Sequence, residues 1–142
     1  MLEIKLLQRG DEQVFEHVRE GVFDDSVDGR LAVEYLENPH SHIAVAIEDG
    51  FIIGFASGID YIHPDKPAQL WVNEVGVAPT HQRRGIGKAV ITALIDLASK
   101  LGCTEAWVLT EQENTAARGL YKHVGGAESH AIMVSFPLTT AK

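Results

Sequence analysis

Three cations packed into one short stretch are the first residues of this chain whose spacing could do chemistry. Gln82-Arg83-Arg84-Gly85-Ile86-Gly87-Lys88-Ala89 lies between an apolar, strand-like run (Leu70 to Val77) and a long helical pattern from about Gly85 to Leu101. A glycine-containing turn feeding a helix start aims several backbone N–H groups, and the positive end of the helix dipole, at one point. With Arg83, Arg84 and Lys88 beside it, in a chain of formal net charge −8, that point reads as an anion site, most simply for a diphosphate. Two common nucleotide loops are excluded. A Walker A loop needs Gly at position 82 and Ser or Thr at 89, which hold Gln82 and Ala89. The dinucleotide fingerprint needs a third Gly at position 90, which is Val90.

The strand before the turn carries a second group. In Leu70-Trp-Val-Asn73-Glu74-Val-Gly76-Val77 the carboxylate of Glu74 interrupts an apolar run. Burying it unpaired costs several kcal/mol. It therefore either faces solvent at a sheet edge or serves as a base or cation anchor. Gly76 suggests a bulge or a close backbone approach.

The elements that must position these groups are read from periodicity. Leu2 to Leu7 alternates as a strand, Asp11 is a candidate N-cap for a helix to about Glu20, and a second helix runs from Ser26 or Val27 to Leu36, ended by Asn38-Pro39. This pair holds Glu12, Glu16, Glu20, Asp24, Asp25, Asp28, Glu34 and Glu37. They form either a solvated face or an acidic wall over a cleft. His42 to Ile47 and Phe51 to Ile59 form a hairpin around Glu48-Asp49-Gly50. Glu105 to Thr110 is a strand, Thr115 to Val124 a helix and Ile132 to Leu138 a final strand. Alternating strands and helices give an α/β class with a mixed sheet.

At 142 residues, 45% apolar and 23% charged, the chain (1–142) reads as a single domain. Without an apolar run of ~18–20 residues or a signal-like N-terminus, no membrane association is expected. The acidic balance argues against nucleic acid and for a cationic partner. The single Cys103 excludes an internal disulfide and fits a reducing cytoplasm. It is read as a small buried hydrophobe. His40-x-His42 and His63-Pro-Asp65 suit no standard metal spacing and are read as loop histidines, so no metal is expected. No Gly-x-Ser-x-Gly elbow occurs.

The Gln82 to Lys88 turn resembles the acetyl-CoA pyrophosphate loop of the GNAT superfamily of N-acetyltransferases. A second stretch agrees: Asn114-Thr-Ala-Ala117-Arg-Gly-Leu120-Tyr121-Lys-His-Val-Gly125-Gly126 is similar to that family's late helix. The likeness spans roughly residues 43 to 136. It implies a mostly antiparallel central sheet of six to seven strands with about four helices, strands four and five splayed apart. It further implies acetyl-CoA as co-substrate, held by Gln82, Arg83, Arg84, Gly85, Ile86, Gly87 and Lys88, by the main chain of Val75 and Val77, and by Asn114, Ala117 and Tyr121. Tyr121 would be the catalytic acid at the coenzyme sulfur and Glu74 the base, direct or through water. Glu74 and Glu111 would hold a cationic acceptor. The family is commonly dimeric, so a homodimer is expected.

Within the superfamily, Gly54 to Val77 looks most like the small bacterial aminoglycoside 3-N-acetyltransferases. The features are the Pro-containing loop Ile62 to Pro67 and the aromatic strand with its carboxylate. That group uses Asp more than Glu at position 74 and is more Asp-rich than Thr110-Glu111-Gln112-Glu113. The expected reaction is acetylation of a primary amine on a small cationic acceptor by direct attack in a ternary complex. The acceptor could be the 3-amine of an aminoglycoside. The alternatives are a peptide or protein amine as acceptor, or a non-catalytic acyl-CoA sensor.

Overall fold

In the computed structural model, which describes residues 1–139, five strands form one sheet in the order β1-β2-β3-β4-β5. They are β1 (Leu2–Leu6), β2 (Ser41–Glu48), β3 (Phe51–Tyr61), β4 (Gln69–Val77) and β5 (Glu105–Val108). The first three pairings are antiparallel and β4–β5 is parallel. The helices are α1 (Gly29–Glu37), α2 (Ile86–Lys100) and α3 (Thr115–His123), with 3₁₀ turns at Glu12–Glu16 and Pro79–His81. The mixed, mostly antiparallel sheet is as expected. Its five strands and three α-helices replace the expected six to seven strands and four helices.

Three elements differ from expectation, two of them with a cause visible in the hydrogen bonding. The expected helix from Asp11 to Glu20 is a single 3₁₀ turn. Asp11 spends its carboxylate on the Gln8 amide behind it (2.8 Å), and residues 17–19 are drawn alongside β3. Ile52 N donates to His17 O and Arg19 N to Ile52 O, both at 2.9 Å. The second helix starts later than expected, at Gly29, because Asp28 accepts from the amides of Arg30 and Leu31. The expected final strand, Ile132 to Leu138, is irregular and exposed, and it pairs with none of the five strands.

Two layers of apolar packing hold the sheet. On one face α2 seals the core with Ile86, Val90, Leu94 and Ala98 against Ala44, Ile53, Ala56, Leu70 and Val72. Each large side chain so buried contributes roughly 1.5–3 kcal/mol of transfer free energy. On the other face Val45, Ile52 and Phe55 pack beneath Val14, Phe15, Phe23, Tyr35 and Leu36. Asp49 (φ 54°) and Gly50 (φ 81°) make the tight turn anticipated for the β2–β3 hairpin.

Candidate functional site

The site is built where β4 leaves β5. The two strands pair only from Gln69↔Glu105 to Val72↔Val108, so residues 73–77 of β4 continue without β5. On its other side β4 stays bonded to β3. Ala78 N donates to Ile53 O at 2.8 Å, and antiparallel alternation then puts Gly76 and Glu74 in the pairs bonded to Phe55 and Ser57. The N–H and C=O groups of Val75 and Val77 therefore face the open edge. One of them is already in use: Gln82 Nε2 donates to Val77 O at 3.4 Å.

A bulge places the carboxylate. The β3–β4 register skips between Ser57↔Glu74 and Gly58↔Val72, which leaves Asn73 unopposed. Leu70 and Val72 point to the α2 face before it, and Val75 and Val77 after it. The extra residue thus lets neighbouring Asn73 and Glu74 both line one cleft, which a regular strand forbids. Gly76, read as a bulge or a close backbone approach, is the second: a Cβ there would run into the Val22 carbonyl and the Phe55 ring. The close backbone approach is real, but the chain itself fills it.

An open cleft of about 340 Å³ lies between α1, the 23–28 loop and the sheet. Its floor is Tyr35, Phe55 and Ser57, and its walls are Asp24, Asp25, Asp28 and Glu74. A second cavity of about 520 Å³ adjoins it across the same loop and adds Glu16 and Glu20. The acidic helical pair is therefore partly a cleft wall. Burial, and then Asp24 close enough to share a proton, raise the Glu74 carboxyl above its ordinary range. The half-buried Tyr35 hydroxyl is pushed up to about 12, chiefly by desolvation; it donates to the His42 carbonyl at 2.6 Å.

At the glycine turn, Arg83 (φ 64°) and Gly85 (φ 79°) adopt left-handed backbone. The first bond into α2 runs from Ala89 N to Gly85 O (3.0 Å), so the amides of Ile86, Gly87 and Lys88 precede the helical ladder. A Cβ on Gly87 would lie 3.2 Å from Leu120 Cδ2, so this glycine also permits close packing of α2 on α3. Arg84 is not a free cation. It forks onto Glu48 at the hairpin end, Nη2–Oε2 2.6 Å and Nη1–Oε1 3.1 Å, and His81 Nε2 lies 3.4 Å from the same carboxylate. The Arg84 hydrogen bonds hold Glu48 below the usual carboxylate range. Lys88 Nζ sits 3.3 Å from His123 Nε2 on α3.

Asn114 caps α3, its Oδ1 accepting from Ala117 N at 3.1 Å. Tyr121 is half-buried on that helix and burial raises its hydroxyl. Glu111 is exposed on the loop before α3 and does not line the cleft. The histidines read as loop residues are more engaged than that. His42 lies in β2 and contacts Asp60 at 2.5 Å, while His40 contacts it at 3.2 Å. Among the described residues no group of three His, Cys, Asp or Glu side chains could hold a metal ion, and no helix is long and apolar enough to cross a membrane. Cys103 is half-buried against the α2 core, and burial pushes its thiol up.

Sequence reasoning missed Glu48, Tyr35 and Ser57. For the bulge a signal existed: the apolar parity of positions 70 and 72 jumps to 75 and 77. For Glu48 there was none, since a turn residue gives no sign of what its strand end will face.

Comparison with known proteins fits this geometry. The model of the acetyltransferase (GNAT) family matches residues 7–125. The N-alpha-acetyltransferase RimI of Mycobacterium tuberculosis is 37% identical over 90 residues, 63% of this chain. The match takes in 54% of that protein, so the chain spans about half its length. Aminoglycoside N(6′)-acetyltransferase type 1 of Salmonella typhimurium is 28% identical over 104 residues, covering 70% of this chain and 72% of the relative. Among solved structures, AAC(6′)-Iy in complex with a bisubstrate analogue joining CoA to monomethyl-acetylneamine superposes with a TM-score of 0.80. It covers 98% of this chain and 99% of that one at 20% identity, a likeness of fold.

Proposed function

Starting from a chain that belongs to the acetyltransferase (GNAT) family, we propose that it transfers acetyl from acetyl-CoA to a primary amine of a small polycation held in the acidic cleft. The observation that carries this reading is the geometry of β4. Past Val72 one strand turns the main-chain groups of Val75 and Val77 to its open edge, with only the Val77 carbonyl met by Gln82, and turns Glu74 into the cleft. Acetyl-CoA fits the chain at two places: the open edge suits an extended amide-bearing arm, and the amides of residues 86–88 with Arg83 and Lys88 suit a diphosphate. Gln82 reaches the Val77 carbonyl, and by the family likeness Asn114 and Ala117 complete the cofactor site.

Acetyl-CoA supplies the acetyl group as an activated thioester. An ammonium has no lone pair, so the acceptor needs a base, and Glu74 takes that proton directly or through a water. Its raised pKa makes it a stronger base than an ordinary carboxylate. Asp24, Asp25 and Asp28 attract and orient the cationic acceptor beside it. Tyr121, half-buried and kept protonated, holds a proton at its hydroxyl for the departing sulfur. Glu111 has no part in this arrangement.

Two relatives favour different acceptors. Several carboxylates gathered on one cleft, Asp24, Asp25, Asp28 and Glu74, suit an aminoglycoside-like polycation with several ammonium groups. The two aminoglycoside acetyltransferases compared above are named for the 6′ position, not for the 3-amine expected from sequence. The 37% likeness to RimI keeps a peptide α-amine as the second reading. A thiol-release assay with acetyl-CoA across aminoglycosides, polyamines and peptides tests this. Turnover on aminoglycosides is expected; turnover on peptides alone favours the second reading, and none on any amine favours an acyl-CoA sensor.

A further inference from the structure

The sheet face that floors the acidic cleft does not end with it. Leu70, Val72, Ala106 and Val108 pack toward α2. Strand alternation therefore turns Gln69, Trp71, Glu105 and Trp107 to the opposite face, the side on which Phe55 and Ser57 line the cleft. In register, Ser57 lies opposite Glu74, Ile59 opposite Trp71, and Trp71 beside Trp107. From Glu74 back to Trp71 is three residues of a bulged strand, roughly 7–10 Å. The helical cover of this face lies over β2 and β3, and beyond it Trp107 is 36% exposed.

Cross-strand aromatic pairs stabilise many sheets, but this one is also tied down at its polar tip. The two indoles stack with centroids 5.9 Å apart and planes 24° from parallel. Trp107 Nε1 donates to Tyr61 Oη (2.5 Å), Tyr61 Oη donates to Gln69 Oε1 (2.8 Å), and Gln69 Nε2 donates to Glu105 Oε1 (3.3 Å). The Trp107 N–H is thus spent within the chain, and indole has no second donor. What the pair offers outward is ring face, with the exposed carboxylate of Glu105 at its rim. Ring faces and carboxylate both attract cations. A ring that carries ammonium groups satisfies the two together.

From this continuity and charge we propose that Trp71 and Trp107, with Glu105 at their edge, form a second acceptor subsite. A further ring of a multi-ring polyamine lies over the indoles while an amine of the first ring meets Glu74. The subsite rests on the acetyl-transfer reading of the cleft and deepens it: the acceptor class becomes amines of at least two linked rings. A one-ring amine fills the cleft alone.

The chain has two tryptophans, and they are these two, so its intrinsic fluorescence reports on the subsite. Titrating the full chain, with CoA present, should give a saturable emission change with two-ring neamine and none with one-ring glucosamine. Trp107→Ala should raise the neamine Kd and KM about three- to thirtyfold, with kcat and far-UV circular dichroism unchanged. Trp107→Phe, which keeps an aromatic face, should restore most of that affinity. Glu105→Gln should raise the same constants about two- to fivefold. Calorimetry should show the glucosamine Kd unmoved by all three substitutions. Tryptophans silent to neamine, or a neamine affinity that Trp107→Ala leaves intact, overturns the subsite. So does an equal loss for neamine and glucosamine, the mark of a merely structural role. Failure of the acetyl-transfer reading looks different: no amine releases thiol from acetyl-CoA while the tryptophans still respond to neamine, and the subsite then stands as a site for cationic rings.

Discussion

Two carboxylates at opposite ends of the site are driven in opposite directions. Glu48, beneath the glycine turn, meets the guanidinium of Arg84 and is held below the ordinary range. Glu74, at the cleft, meets burial and the carboxyl of Asp24 and is raised above it. The first pair is closed, both charges answered within the chain. The second places like charges together, which folding alone does not favour. A group left unbalanced in a cleft marks where a ligand's charge is wanted; a balanced one marks where the scaffold is held.

Glu74 is the position where substitution has the largest expected effect. Replacing it by Gln should lower kcat/KM for amine acetylation by about 10²-fold or more, the size of a general-base contribution, and abolish the acidic limb of the pH profile. A rise in the acceptor's KM with the limb intact would instead make Glu74 an anchor. Steady-state kinetics across pH separates the two outcomes.

Asp24→Asn sharpens the same pair with a smaller effect. Its negative charge raises Glu74, so removing it lets the Glu74 pKa fall, and the acidic limb should move to lower pH. Acceptor KM should rise roughly tenfold, the magnitude of one close charge contact. Stability should respond with a defined sign. A carboxyl raised in the folded state contributes stability below its unfolded pKa and loses it as pH rises through the folded value. Thermal melts of Asp24→Asn should therefore show less decline over that interval than the parent; an identical decline would mean the two carboxyls do not interact.

The smallest effect belongs to the closed pair. If Glu48 staples the turn, Glu48→Gln should weaken acetyl-CoA binding about two- to fivefold, the magnitude of an exposed ion pair. Arg84→Ala should do the same, and the double variant should be no worse than either. Calorimetric titration checks this, and tighter binding by Glu48→Gln would show that Glu48 competes with the phosphates. The lowered pKa of Glu48 contributes stability above its unfolded value and loses it as pH falls. The parent's advantage over Glu48→Gln should therefore disappear in acid.

Much of this molecule was written locally. The Asp-Gly hairpin turn, the glycine stop after α2, the Asn114 cap and the long apolar stripe of α2 follow from residue types and short-range spacing. They appear where periodicity put them, within a residue or two. The glycine turn with its free amides was legible for the same reason, since its geometry closes within six residues.

Long-range contact decided the rest. Nothing in Glu12 to Glu20 revealed that residues 17–19 would bond to Ile52 and unwind a helix. Nor did the acidic pair disclose which of its members faces the cleft: Asp24 lies fifty positions from Glu74, and only the packing of the 23–28 loop over the bulged strand joins them. Arg84 looked like a free cation because its partner sits thirty-six residues away. Ile132 to Leu138 carries a strand's composition, yet it pairs with none of the five strands. Local propensity sets which elements form; burial and charge pairing between distant segments set where each points, and a site is made of directions.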